Sequence, residues 1–90
     1  MIAIELYVND QKISTASLEN GVMSAIVNWI KLQEEDDSWH AGISLAGLDN
    51  KTSEHVRWVQ QDLGVGDEVR IRLVETDTVD APVARELKQE

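Results

Sequence analysis

Cysteine and phenylalanine are absent from the 90-residue chain, and proline occurs once, as Pro82. Without cysteine there is no disulfide, no thiolate nucleophile and no cysteine-based zinc site, which suits a reducing compartment. Without phenylalanine the core has to be aliphatic, because Tyr7, Trp29, Trp39 and Trp58 are the only large aromatic side chains. Cations are scarce too: eight Lys and Arg stand against 17 Asp and Glu, a formal charge of −9. Such a field repels phosphate backbones and anionic lipid, so nucleic acid and membranes are poor partners, whereas a basic protein is drawn inward. The plainer role of that charge is to keep a small protein in solution. The longest uncharged run, residues 20–30, is too short to span a bilayer of ~30 Å. The start Met1-Ile2-Ala3-Ile4-Glu5 lacks the basic region of a signal peptide. Elimination leaves a cytoplasmic protein as the expectation.

Hydrophobic residues make up 42% of the chain, enough for one globular domain with a thin core. Ile2, Ile4, Leu6 and Val8 alternate with Ala3, Glu5 and Tyr7, the pattern of a half-buried strand. Asn9-Asp10-Gln11 is turn chemistry and residues 12–18 form a second strand, so the chain opens with a hairpin. Residues 20–33 are ambiguous. Polar Ser24, Asn28 and Lys31 recur at helical spacing, leaving Val22, Met23, Ile26, Val27 and Ile30 on one helical face, and Asn20 is a possible cap. The same residues are largely β-branched and suit a strand. The helix is preferred on spacing.

Glu34, Glu35, Asp36, Asp37 and Ser38 form an acidic loop, residues 41–48 a short strand, and residues 52–59 either a turn of helix or an irregular strand. Gly64-Val65-Gly66-Asp67 is a turn feeding a second clear strand, Val69–Glu75, with Val69, Ile71 and Leu73 on one face and Arg70 and Arg72 on the other. Residues 1–75 form the domain, and residues 76–90 a polar tail lying on the surface or disordered. If the first and last clear strands are neighbours, Glu5 and Tyr7 meet Arg70 and Arg72, and their apolar faces make one floor for the helix.

The expected fold is therefore α+β, a β-grasp-like mixed sheet with one packed helix; the alternative is an all-β sandwich with residues 20–33 as a long buried strand. Val8-Asn9-Asp10-Gln11, the apolar run from Val22 to Leu32 and Gly66-Asp67-Glu68-Val69 resemble in layout the ubiquitin-like β-grasp sulfur carriers. That resemblance implies a terminal diglycine, yet no glycine follows Gly66, so a carrier role implies processing. The closing strand also resembles that of a group of uncharacterised small bacterial proteins, which implies no activity.

Candidate sites are few. Histidine is the side chain type suited to proton transfer near neutral pH, but Ser38 and Ser53, two residues upstream of His40 and His55, give no catalytic spacing, and surface histidines are the plain alternative. The run Glu34 to Asp37 lacks the alternating ligands and central glycine of a calcium loop. Gly64-Val65-Gly66 lacks the lysine of a phosphate loop and precedes a strand. No enzyme, cofactor or metal reading follows. The preferred contact surface is Glu5, Tyr7, Arg70 and Arg72, since Tyr and Arg favour interfaces, with Trp39 as a candidate anchor; a solvated sheet face is the alternative. Trp58, between Val56 and Val59, reads as core. The expected role is a non-enzymatic, cytoplasmic protein-interaction module for an unknown protein partner, with an acidic, immunity-like inhibitor of a basic partner as another candidate.

Overall fold

The computed structural model describes residues 1–31 and 39–87. Seven strands follow in order: β1 (Ile2–Val8), β2 (Gln11–Ala16), β3 (Gly21–Ile30), β4 (His40–Asp49), β5 (Glu54–Leu63), β6 (Val69–Glu75) and β7 (Ala84–Leu87). They build two antiparallel sheets, β2-β1-β6 and β3-β4-β5-β7. No helix occurs among the described residues, so the protein is all-β and the expected packed helix is overturned. Residues 52–59, expected as a turn of helix or an irregular strand, divide: 52–53 lie in the β4–β5 turn and 54–59 are the first part of β5.

The error over residues 20–33 has a physical origin. Val22, Ile26, Val27 and Ile30 are stiff at χ1 and fit a pleated surface, and β3 pairs with β4 from Gly21↔Asp49 to Ile30↔His40. Gly21, at φ 154°, lies so close to the Leu48 carbonyl that a Cβ there would collide with it. Nor is β3 the buried strand of the alternative reading: it ends its sheet and is mostly exposed. A strand exposed on both sides need not alternate, which is why its polar residues mimic helical spacing.

β1 and β6 are neighbours, in register from Ile2↔Glu75 to Val8↔Val69. The β1–β2 hairpin closes through Asn9 and Asp10, both at positive φ (53° and 64°), the two-residue turn whose twist suits a hairpin. The two turns singled out in the sequence also hold each other. Asn9 donates from Nδ2 to Asp67 Oδ1 (3.0 Å), its Oδ1 accepts from the Glu68 amide (2.9 Å), and its own amide donates to the Glu68 carbonyl (2.8 Å).

The core lies between the sheets. Leu6, Val8 and Ala16 from one meet Ile43, Leu45, Val56, Trp58 and Val59 from the other. Trp58 is the extra residue of a bulge in β5 opposite Leu45 and Ala46, which lets Val56, Trp58 and Val59 all point inward. The cover stops short of β6: Leu73 shares a face with Ile4, as Ile71 does with Leu6, yet Leu73 is 73% exposed. The Cα radius of gyration is 14.8 Å, against about 12 Å for a compact chain of this length.

Residues 76–87, expected as a tail, are bonded to both sheets. The Asp80 amide donates to the Thr15 carbonyl (2.9 Å) and Asp80 Oδ2 accepts from the Thr15 amide (2.8 Å), along the outer edge of β2. The Asp80 carbonyl accepts from Trp58 Nε1 (2.8 Å), and β7 then pairs with β5. This segment stitches the three-stranded sheet to the four-stranded one.

Candidate functional site

The surface nominated in the sequence assembles as a network closed on itself. Register sets Glu5 opposite Arg72 and Tyr7 opposite Arg70. Arg70 stacks on the Tyr7 ring, 4.2 Å from guanidinium carbon to centroid, a cation–π contact. Glu5 accepts from Tyr7 OH (3.1 Å) and meets Lys12 Nζ (3.2 Å) and Arg72 Nη1 (3.7 Å). Burial by itself pushes the Glu5 carboxyl up, but Lys12, Tyr7 and Arg72 outweigh it and hold it below its ordinary value. Its carboxylate is thus engaged within the sheet. Trp39 is not part of this group: it precedes β4 in the other sheet and is exposed.

A second surface, which sequence reasoning missed, is the outer face of the four-stranded sheet. Side chains at paired positions share a face, so Val22, Ser24, Ile26, Asn28 and Ile30 stand beside His40, Gly42, Ser44, Ala46 and Leu48 of β4. Beyond them on β5 stand His55, Arg57, Gln60 and Asp62. The small residues Gly42, Ser44 and Ala46 make the floor of a trough along β4, with an apolar wall from β3 and a polar wall from β5. Its two parts, open to solvent, hold about 260 Å³ at the His40 end and about 360 Å³ at the His55 end. Val22 and Ile26 on the apolar wall are 58% and 53% exposed. Trp29, on the opposite face of β3, is 70% exposed. The available signal was the lack of any charge from Gly21 to Ile30 combined with β-branching.

Both histidines lie on this face, at opposite ends of the trough. His40 Nε2 is 3.5 Å from Asp62 Oδ1, whereas His55 is paired with Leu48, eight residues along β4 and so about 27 Å away. They cannot act on one bond. Ser53 sits in the β4–β5 turn at φ 57°. The amide at Gly64 is already taken by the Asp67 carboxylate (2.7 Å), which also accepts from Asn9; these bonds hold the Asp67 carboxyl below its ordinary value. An incoming phosphate would find that donor occupied. The acidic run from Glu34 to Asp37 and Ser38 lie outside the described residues. Among the described residues no three His, Asp or Glu side chains gather as a metal site.

Asp49 marks the last polar cluster. It accepts from the Lys51 amide (3.0 Å) and from Arg85 Nη1 (3.3 Å), and Arg85 also reaches Glu54 (3.2 Å). Burial pushes the Asp49 carboxyl up, but the Lys51 amide, Arg85 and Thr52 together bring it below its ordinary value. The cluster ties β7 to the β4–β5 turn and is structural. No helix among the described residues is long and apolar enough to cross a membrane. No protein-family model, curated protein or solved structure matches the chain.

Proposed function

We propose that the chain is a non-enzymatic protein-interaction module of the bacterial cytoplasm, and that its contact surface is the outer face of the four-stranded sheet. The observation that carries this reading is the exposed apolar row Val22, Ile26 and Ile30 standing over a floor of Gly42, Ser44 and Ala46. Apolar side chains beside a smooth floor leave room for a partner's side chains, while Gln60, Asp62 and Arg57 on the far wall supply polar contacts at the rim. The Glu5–Tyr7–Arg70–Arg72 surface, whose polar groups are spent on one another, is the weaker candidate. The field of a −9 chain favours a basic partner and speeds its approach.

Placing a photoreactive p-benzoylphenylalanine at Gln60 and irradiating cells that make the protein tests this reading. An adduct with a different protein, lost when Ser44→Arg fills the trough, is the expected result. Labelling no stronger from Gln60 than from Lys12 on the other sheet would remove the trough as a contact surface.

A further inference from the structure

The strand that forms the apolar wall is also, among the described residues, an uncovered sheet edge. An exposed edge offers a row of unpaired amides and carbonyls, and proteins blunt such edges with charges, prolines, shortness or cover. Three of the four edges here carry such a device. The outer edge of β2 is closed by Asp80, which bonds Thr15 from both its amide and its carboxylate. β7 is four residues long and carries Arg85 and Glu86. β6 carries Arg70, Arg72 and Glu75. Among the described residues β3 has none: ten residues, Gly21–Ile30, with no charge and no proline. Among the described residues, no backbone hydrogen bond is made from its outer side.

We propose that β3 is the contact strand of a symmetric dimer, in which two copies of the chain pair their β3 edges antiparallel and join their four-stranded sheets into one eight-stranded sheet. Two observations select a second copy. First, an edge apolar on both faces needs a strand apolar on both faces, and β3 is itself such a strand, already extended and ordered. A two-fold axis normal to the sheet keeps like faces together. Val27 and Trp29 of both copies then line the core side, and Val22, Ile26 and Ile30 of both copies the trough side. Second, the strand supplies enough contact. At the usual rise it is about 34 Å long, and with side chains on both faces it buries about 500 Å² per copy, near the roughly 1,000 Å² total of a specific interface. The pairing leaves both troughs open on one side of the joined sheet, so it goes beyond the interaction reading and does not depend on the trough having a partner.

Sedimentation of the full 90-residue chain between about 1 and 100 μM tests the proposal. The expected result is a monomer–dimer equilibrium in the micromolar range, weakened at least tenfold by Ile26→Lys and by Val27→Lys, one on each face of β3. Because each copy carries −9, added salt should tighten the dimer by screening repulsion, whereas it loosens a complex with a basic partner. Should either variant unfold, the absence of native cysteine allows a spin label at Ser24→Cys, expected within about 20 Å of its counterpart in the dimer. A chain monomeric at 100 μM overturns the proposal, as does a dimer indifferent to both lysines or a longer label distance. A monomer that still gives the Gln60 adduct removes the dimer alone; a dimer without that adduct removes the trough alone.

Discussion

Replacing Asp80 by alanine tests whether residues 76–87 are part of the domain. The Asp80 carboxylate accepts from the Thr15 amide at 2.8 Å and from Ser14 Oγ at 3.4 Å, and both donor residues are buried. Leaving a buried donor without its acceptor costs about 1–3 kcal/mol. The longer Ser14 bond adds little, because the hydroxyl can rotate toward another acceptor. The Asp80 amide and carbonyl keep their bonds to Thr15 and Trp58, so the strap is weakened and not released. The expected loss is about 2 kcal/mol, or roughly 8–16 °C in Tm for a chain of this size. Urea unfolding followed by tryptophan fluorescence reads it, with Trp58 of β5, which donates to the Asp80 carbonyl, reporting from beside that segment. Asp80→Asn, which keeps one acceptor oxygen, should recover most of the loss. Asp77→Ala, at an exposed site three residues earlier, should change stability by less than about 0.5 kcal/mol. If Asp80→Ala falls in that same small range, residues 76–87 are not held as described.

Two further outcomes follow from the turns and the carboxylates. Asn9→Gly loses the side-chain bonds to Asp67 and Glu68 but removes the Cβ and is at ease at positive φ, whereas Asn9→Ala loses the same bonds and keeps a Cβ in the left-handed region without asparagine's tolerance of it. The alanine variant should therefore be the less stable by about 1 kcal/mol, and equal urea midpoints would contradict the hairpin geometry. Glu5, Asp49 and Asp67 all have folded-state values below their ordinary ones, so the unfolded chain binds more protons as acid is added. Their stabilisation is complete above the ordinary carboxylate range of about 4 and is lost as pH falls through the depressed folded values. Urea midpoints should drop below pH ~5, and Glu5→Gln should lie under the native chain at pH 7 but converge with it in acid; parallel curves would refute the Glu5 network.

What could be read from the sequence was local. The Asn9 turn, the Gly64–Asp67 turn and the alternation of Ile2–Val8 and Val69–Glu75 each rest on a few consecutive residues, and charge alone suggested that Glu5 and Arg72 are neighbours. What could not be read depends on distant partners. Asp80 looks like any acidic residue until Thr15, 65 positions earlier, lies beside it. Trp58 reads as core from its neighbours, but the bulge in β5 that turns Val56, Trp58 and Val59 all inward does not show in the sequence. The apolar face of β6 was identified as a face, but nothing in Ile71 or Leu73 says that the opposing sheet ends before covering them.

The misread strand and the proposed interface have one cause. Alternation is imposed on a strand by having one face in a core and the other in water, and β3 has neither face fully in the core. Freed from that constraint, selection for solubility should fill such a strand with charge, as it has filled β6 and β7. In a chain with 17 carboxylates, ten consecutive uncharged residues on an open edge run against that pressure. Met23 and Ala25 pack against the core, but the other apolar residues of β3 do little for the core of a single copy, since Val22, Ile26, Val27 and Trp29 are all more than half exposed. The contact proposed outside the chain would account for them. A helical apolar spacing that is also β-branched and free of charge therefore points to an edge strand awaiting a partner.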